Sequence, residues 1–216
     1  KGGLFLGAGS IQYATHTKDI EKLGGLIKKM PVTAVMVLCF SLAISAIVPF
    51  NGFVSEWLTY QSLFSIIIPG QTGINIISIL AAAALAMSGA LAAACFVKLF
   101  GISFLGKARS ECALNAAEVP ASMNTGMGIL ALFCLVIGLF PIFFLKVVDK
   151  VVFSISGTTV IGELQGGFLI AWYPINVSGN AITPSAIFIA SAVIILATAA
   201  LIRLVGGKVS ERKYGT

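Results

Sequence analysis

The sequence contains little charge. Only 10% of its 216 residues are Asp, Glu, Lys or Arg, and 58% are hydrophobic, whereas about 25% of residues are charged in soluble domains. A water-soluble domain of this length could not bury so much apolar surface. The composition therefore excludes a cytosolic enzyme, a nucleic-acid-binding domain and a disordered tail. It predicts an all-α, polytopic helix bundle in a lipid bilayer.

The residues of cofactor and metal chemistry are also scarce. His16 is the only histidine, and no two of the four cysteines have the C-x-x-C spacing of a metal or redox site. The sequence has no Gly-rich phosphate loop and no nucleophile–base pair. Cysteines in apolar helices usually behave as small hydrophobic residues. We therefore expect no cofactor or metal in this chain.

Five apolar segments indicate membrane helices, and we expect one membrane domain over residues 1–216. The first is too short to cross ~30 Å of hydrocarbon at 1.5 Å per residue, so we expect it to be the end of a longer helix. The mixed stretch 149–183 contains an aromatic pair, Trp172 and Tyr173, that is typical of membrane interfaces. The segments cover residues 2–14, 31–68, 74–105, 125–148 and 184–205.

The second segment is too long for one simple span. Its length corresponds to about 57 Å of helix, nearly twice the hydrocarbon thickness. Pro49 removes a backbone donor and Gly52 is conformationally permissive, so we expect the helix to break near Pro49–Gly52. The segment is then either one discontinuous span or a tight hairpin of two spans.

The distribution of basic residues favours the single broken span. In that arrangement the loops 15–30 and 106–122 and the C-terminal end share one side, opposite Lys146 and Lys150. A hairpin would instead divide the same twelve basic residues six and six. The positive-inside rule favours ten against two, and it predicts that the loops and the C-terminus are cytoplasmic. The ten are Lys18, Lys22, Lys28, Lys29, Lys107, Arg109, Arg203, Lys208, Arg212 and Lys213.

Three ionisable residues are candidates for chemistry: Lys1 at the start of the first apolar segment, Glu56 just beyond the break, and Lys98 in the third segment. A charge at membrane depth needs a partner, water or a proton. Burial and a nearby cation move the pKa of a carboxylic acid in opposite directions, which suits a proton relay. Each residue also has a simpler interpretation. Glu56 could face headgroups beside Trp57, Lys1 could lie near the outer surface, and Lys98 could snorkel to the cytoplasmic interface.

Four strings resemble a known family. They are KGGLFLGAGS (1–10), LGGLIKKMP (23–31), PFNGFVSEWL (49–58) and AAACFVKLFGISFLG (92–106), and Glu118-Val119-Pro120 extends the likeness to about residue 141. They resemble the antiporter-like proton-channel subunits of complex I and Mrp-type antiporters. Within that superfamily, the likeness is strongest to the hydrogenase-4 and formate hydrogenlyase branch.

The resemblance implies a fold and a role. The chain would be the C-terminal part of a longer subunit and would form the second of two inverted repeats. Lys1 falls on the family's axial lysine, Glu56 on the charged position after the broken helix, and Lys98 on a basic position in the next helix. Together they would carry protons through a half-channel in the inner membrane. Fe–S and Ni–Fe centres would belong to partner subunits, namely other membrane subunits and a peripheral redox arm.

Two alternatives remain open at this stage. The chain could belong to a Na⁺/H⁺ antiporter of Mrp type or to respiratory complex I. It could also be a structural subunit that has kept the fold and lost transport. The sequence does not decide whether the chain forms part of an enzyme, since any redox reaction would take place in other subunits.

Overall fold

The computed structural model describes residues 1–67 and 69–157. Within these ranges the chain is helical and contains no strand, which confirms the all-α class. The predicted segment 184–205, Trp172, Tyr173 and the basic C-terminal end lie outside the described residues. The α-helices are α1 (Gly2–Thr15), α2 (Pro31–Ile44), α3 (Asn51–Ser65), α4 (Thr72–Phe104), α5 (Glu111–Leu114), α6 (Ala121–Leu139) and α7 (Pro141–Ser156).

The predicted helix break is present between α2 and α3. α2 ends at Ile44 and α3 begins at Asn51, with Pro49 in the irregular segment between them. The two helices have 14 and 15 residues, so each is about 20 Å long and shorter than the ~30 Å hydrocarbon core. Gly52 lies in the first turn of α3 rather than in the break. A Cβ at Gly52 would collide with the carbonyl oxygen of Ala43, so the absence of a side chain lets α3 start against the end of α2.

The fourth apolar segment differs from the expected single helix over 125–148. α6 begins earlier, at Ala121, and ends at Leu139, after which α7 runs from Pro141 to Ser156. Pro141 occupies the first turn of α7, where its missing N–H costs no helical hydrogen bond. Residues 149–156 are therefore helical, although the sequence places them in a mixed stretch without assigned structure.

Close helix packing forms the core. Gly3 of α1 contacts the Phe40 ring, and a Cβ on Gly7 would lie 2.6 Å from Val37 of α2. The buried hydroxyls of Ser10 and Ser41 donate hydrogen bonds to carbonyls four residues earlier, at 2.9 and 2.7 Å. Small residues thus bring α1 and α2 together without leaving a buried hydroxyl unpaired.

Two of the described helices, Thr72–Phe104 and Ala121–Leu139, are long and apolar enough to cross a membrane. Their outer faces carry exposed apolar side chains. On α4, for example, Ile77 is 69% exposed and Leu80 is 64% exposed. Such surfaces are unfavourable in water and are suited to lipid.

The loops on either side of α2–α4 contact each other. The Gly25 amide donates a hydrogen bond to the Leu105 carbonyl at 3.0 Å, and the Ser110 hydroxyl donates to the Lys22 carbonyl at 2.7 Å. Residues 15–30 and 106–122 therefore lie at the same end of the bundle. The single broken span requires this arrangement, whereas a hairpin of two full spans would place the loops at opposite ends.

Candidate functional site

A cavity of about 500 Å³ opens at the helix break and contains two of the three predicted site residues, Lys1 and Glu56. Its walls come from the start of α1, the end of α2, the break, the first half of α3, and single residues of α4 and α6. The lining residues are Lys1, Phe40, Ala43, Ile44, Ala46, Asn51, Gly52, Ser55, Glu56, Thr59, Leu85 and Cys134.

Glu56 lies against the backbone of α4. A Cβ built on Gly89 would lie 2.9 Å from Glu56 Oε1, a separation that is shorter than normal carbon–oxygen contact. Gly89 therefore leaves the space that the carboxylate occupies. The sequence places Gly89 in a cluster of small residues in α4 but does not show that it faces Glu56.

Lys1 immediately precedes α1, and Gly3 of the same helix packs on Phe40. Because α1 has 14 residues, Lys1 is about 21 Å along the helix from the loop that follows Thr15. It is therefore at the level of the break. In the part of the chain that the structure describes, Lys1 and Glu56 share the cavity without forming an ion pair. Water or a mobile proton carrier would be needed to connect them.

The structure reveals a polar stripe on α3 that the sequence analysis missed. Asn51, Ser55 and Thr59 are four residues apart, so they lie on one face of the helix and line the cavity. The hydroxyls of Ser55 and Thr59 donate to helix carbonyls, each at 2.9 Å. Their oxygens can still accept hydrogen bonds from water. The i, i+4, i+8 spacing of these residues is the signal that could have identified them.

Lys98, the third predicted site residue, does not join this cavity. It lies on α4 nine residues after Gly89, about 13 Å further along the helix, and its side chain is exposed. The structure thus brings Lys1 and Glu56 together and leaves Lys98 nearer the end of α4 that packs against the 15–30 loop.

Glu118 is a second charged residue with a defined setting that the sequence analysis did not identify as a site. Its carboxylate accepts a hydrogen bond from the Val32 amide at 2.9 Å and one from the Thr33 hydroxyl at 2.5 Å. Partial burial raises the pKa of Glu118, but hydrogen bonds from Thr33, Val32 and Asn124 outweigh it and hold the pKa below the ordinary glutamate value. Glu118 therefore provides an ionised carboxylate that accepts hydrogen bonds from the first turn of α2.

The described residues contain no cluster of three or more His, Cys, Asp or Glu side chains that could hold a metal ion. Cys39 and Cys134 are half-buried free thiols. The polar groups available at the cavity are a lysine, a glutamate, an amide, two hydroxyls and the Cys134 thiol. Such groups can bind water and carry protons.

The comparisons with known proteins agree with the resemblance. Residues 1–80 match the family described as "NADH:quinone oxidoreductase/Mrp antiporter, TM". Hydrogenase-4 component B of Escherichia coli (strain K12) is 50% identical over 139 residues, which are 64% of this chain and 21% of that protein. Formate hydrogenlyase subunit 3 of the same organism is 43% identical over 138 residues, 64% of this chain and 23% of that protein.

A third relative comes from the antiporter branch. Na(+)/H(+) antiporter subunit A1 of Staphylococcus saprophyticus subsp. saprophyticus (strain ATCC 15305 / DSM 20229 / NCIMB 8711 / NCTC 7292 / S-41) is 31% identical over 166 residues. These are 74% of this chain and 20% of that protein. The chain spans about a fifth of the length of the curated relatives it matches.

A solved structure shows the same fold. It is titled "Structure of the membrane-bound sulfane sulfur reductase (MBS), an archaeal respiratory membrane complex", and it matches with a TM-score of 0.63 at 22% identity. The match covers 98% of this chain and 31% of that one. The resemblance read from the sequence is confirmed by the family match over residues 1–80 and by the similarity of the chain to hydrogenase-4, formate hydrogenlyase and Mrp-type antiporter subunits.

Proposed function

We propose that this chain forms the C-terminal part of a proton-translocating membrane subunit in a hydrogenase or formate hydrogenlyase type complex. The observation that carries the proposal is the cavity at the helix break, which Lys1 and Glu56 both line. The relatives are named as components of hydrogenase-4 and formate hydrogenlyase, which supports an assembly with other membrane subunits and a peripheral redox arm. Fe–S and Ni–Fe centres would lie in those partners.

The break gives a physical reason for the site. At a break the backbone groups lose their helical partners, and at membrane depth they are tolerated only inside protein or beside water. The polar stripe of Asn51, Ser55 and Thr59 offers hydrogen-bonding groups to such water. Discontinuous helices at ion sites of transporters follow the same principle.

Each residue has a role in the proposal. Lys1 is the basic group at the level of the break, and it lines the same cavity as Glu56. Glu56, held beside Gly89, receives the proton and passes it toward the exit. Lys98 acts as a basic group at the far end of α4, outside the cavity. A charge change in a neighbouring subunit would shift the proton affinity of Lys1 and so drive the transfer.

The test uses inverted membrane vesicles that contain the whole complex with the full-length subunit. Proton uptake driven by the redox reaction of the complex is compared for wild type and Glu56→Gln, together with the redox rate measured with an uncoupler. Glutamine has the same shape but does not ionise. We expect proton uptake to fall toward background while uncoupled electron transfer continues.

Glu111→Gln is the matched control, because Glu111 is an exposed glutamate in the first turn of α5 and is remote from the cavity lining. It should leave proton uptake unchanged. If Glu56→Gln also pumps normally, Glu56 is not a relay group and the proposal is wrong.

A Na⁺/H⁺ antiporter of Mrp type is the second candidate. The match to Na(+)/H(+) antiporter subunit A1 covers more of this chain than the matches to the hydrogenase-type relatives. In that case a Na⁺ gradient alone would collapse a preformed pH gradient across the vesicles, with no redox substrate present. The hydrogenase-type assignment predicts no such response.

We further propose that the subunit lies in the inner membrane with the 15–30 and 106–122 loops in the cytoplasm. The contact between these loops places them on one side of the membrane, and the Lys and Arg residues of the two loops support the cytoplasmic side.

A further inference from the structure

α2 begins without a capping side chain of its own. Met30 at the N-cap makes no side-chain hydrogen bond, and Pro31 in the first turn has no N–H. The Ala34 amide is paired with the Met30 carbonyl at 2.9 Å. The unpaired donors of the first turn are then the amides of Val32 and Thr33.

Glu118 supplies the missing acceptor from a distant part of the chain. Its Oε2 accepts from the Val32 amide at 2.9 Å, and its Oε1 accepts from the Thr33 hydroxyl at 2.5 Å. Thr33 is fully buried. A carboxylate at a helix N-terminus also gains from the partial positive charge there.

The same group of residues connects α2 to α6. Glu118 is two residues before Pro120, the N-cap of α6, and Asn124 in the first turn of α6 lies 3.4 Å from the Thr33 hydroxyl. Val119 is 5% exposed, so the loop that carries Glu118 is anchored in the core. The start of α2 and the start of α6 are therefore joined through one carboxylate.

The opposite ends of these two helices form part of the cavity. Phe40, Ala43 and Ile44 of α2 and Cys134 of α6 line it. Gly138 of α6 lies against the Pro49 carbonyl oxygen in the break. The α2–α6 pair is thus connected at both ends, by Glu118 at one and by the Gly138–Pro49 contact at the other.

We propose that Glu118 is a positioning residue for the proton path. By capping α2 and joining it to α6, it holds in register the two helices that form one side of the Glu56 cavity. The transport part of this inference rests on the proposed function, whereas the capping part rests on the hydrogen bonds alone.

The experiment measures two quantities in the assembled complex with the full-length subunit. The first is hydrogen–deuterium exchange of the first-turn amides of α2, residues 32–34. The second is the number of protons moved per electron at matched redox turnover. The variants are Glu118→Gln, Glu118→Asp and Thr33→Val, with Glu111→Gln as control. Thr33→Val keeps the side-chain shape and replaces the hydroxyl by a methyl group, so it tests the same junction if Glu118→Gln does not assemble.

We expect Glu118→Gln and Thr33→Val to exchange several-fold faster at α2 and to move fewer protons per electron. Glu118→Asp should be intermediate because it keeps the charge. Unchanged exchange would show that Glu118 does not cap α2. Faster exchange with an unchanged proton-to-electron ratio would make Glu118 a structural cap only and would overturn the positioning role. If Glu56→Gln pumps normally, the proposed function fails separately, whatever the exchange at α2.

Discussion

The carboxylate of Glu56 occupies the space that a side chain on Gly89 would fill, since a Cβ there would lie 2.9 Å from Oε1. The Glu56 carboxylate therefore packs against the backbone of α4, which is accessible at this point because residue 89 is a glycine. The position of Glu56 therefore depends on residue 89 of the neighbouring helix having no side chain.

Gly89→Ala should displace Glu56 and reduce redox-driven proton uptake, with little loss of stability. Alanine favours a helix over glycine by about 1 kcal/mol, and the flexible glutamate can move away. Proton uptake and the thermal unfolding midpoint of the same preparation separate the two effects. Gly101→Ala on the same helix is the control, because a Cβ there meets nothing within 4 Å. Equal pumping by both variants would show that the Gly89 contact has no functional role.

Gly138→Ala should destabilise the bundle by about 1–3 kcal/mol, because the new methyl group meets the Pro49 carbonyl oxygen and neighbouring backbone, which cannot rotate away. The free energy of unfolding of the full-length subunit in detergent measures the effect. Gly126→Ala, also on α6, has open space around it and should be neutral or slightly stabilising. A neutral Gly138→Ala would mean that α6 does not pack against the break.

The pH dependence of stability should include a contribution from Glu118. Its pKa is lower in the folded protein than in the unfolded chain, so the folded state is stabilised where the carboxylate is ionised. The contribution is complete above the ordinary glutamate pKa of about 4.3 and is lost as the pH falls through the lower folded-state value.

The corresponding measurement is the unfolding midpoint of wild type and Glu118→Gln across this acidic range and at neutral pH. The two proteins should differ at pH 7 and converge in acid. A difference that stays constant would show that the charge of Glu118 does not contribute.

Ser110→Ala should lower the free energy of unfolding by about 1 kcal/mol. The hydroxyl accepts from the Ala113 amide at 3.3 Å and donates to the Lys22 carbonyl at 2.7 Å, so it caps α5 and also joins the two loops. Ser88→Ala is the comparison, because the exposed Ser88 hydroxyl donates to the Leu85 carbonyl within its own helix. Similar losses in both variants would show that the loop contact adds nothing.

The sidedness of the loops can be read from Cys112, which is exposed at α5. In a full-length subunit in which Cys112 is retained and every other cysteine is replaced by alanine, a membrane-impermeant maleimide should label Cys112 in inverted vesicles and not in intact spheroplasts. The reverse pattern would contradict the cytoplasmic placement of the 106–122 loop.

Local chemistry made part of this fold predictable. Pro49 lies in the break as expected, because proline lacks a donor, whereas Gly52 lies in the first turn of α3 and permits its close approach to α2. At Pro141 the prediction of one continuous segment over 125–148 was wrong. Proline is well suited to begin a helix, and α7 begins there. The family resemblance indicated Lys1 and Glu56 as candidate site residues, and the structure adds that both line one cavity.

The remaining features depend on contacts between distant positions. Nothing near Glu118 in the sequence indicates that it caps a helix 86 residues earlier. The sequence likewise does not distinguish Gly89 from the small residues around it, and only its contact with Glu56 in the structure does so. Periodicity and local motifs describe the faces of a helix, but they do not specify which residue of another helix will face them.

The separation between α2 and its cap has a consequence for biosynthesis. α2 leaves the ribosome well before Glu118, since α3, α4 and α5 are made between them. Throughout that interval the amides of Val32 and Thr33 have no carboxylate to accept their hydrogen bonds. The first turn of α2 can therefore gain this cap only after α4 has brought the chain back to the same end of the bundle, which makes the capped helix start one of the last contacts to be completed among the described residues.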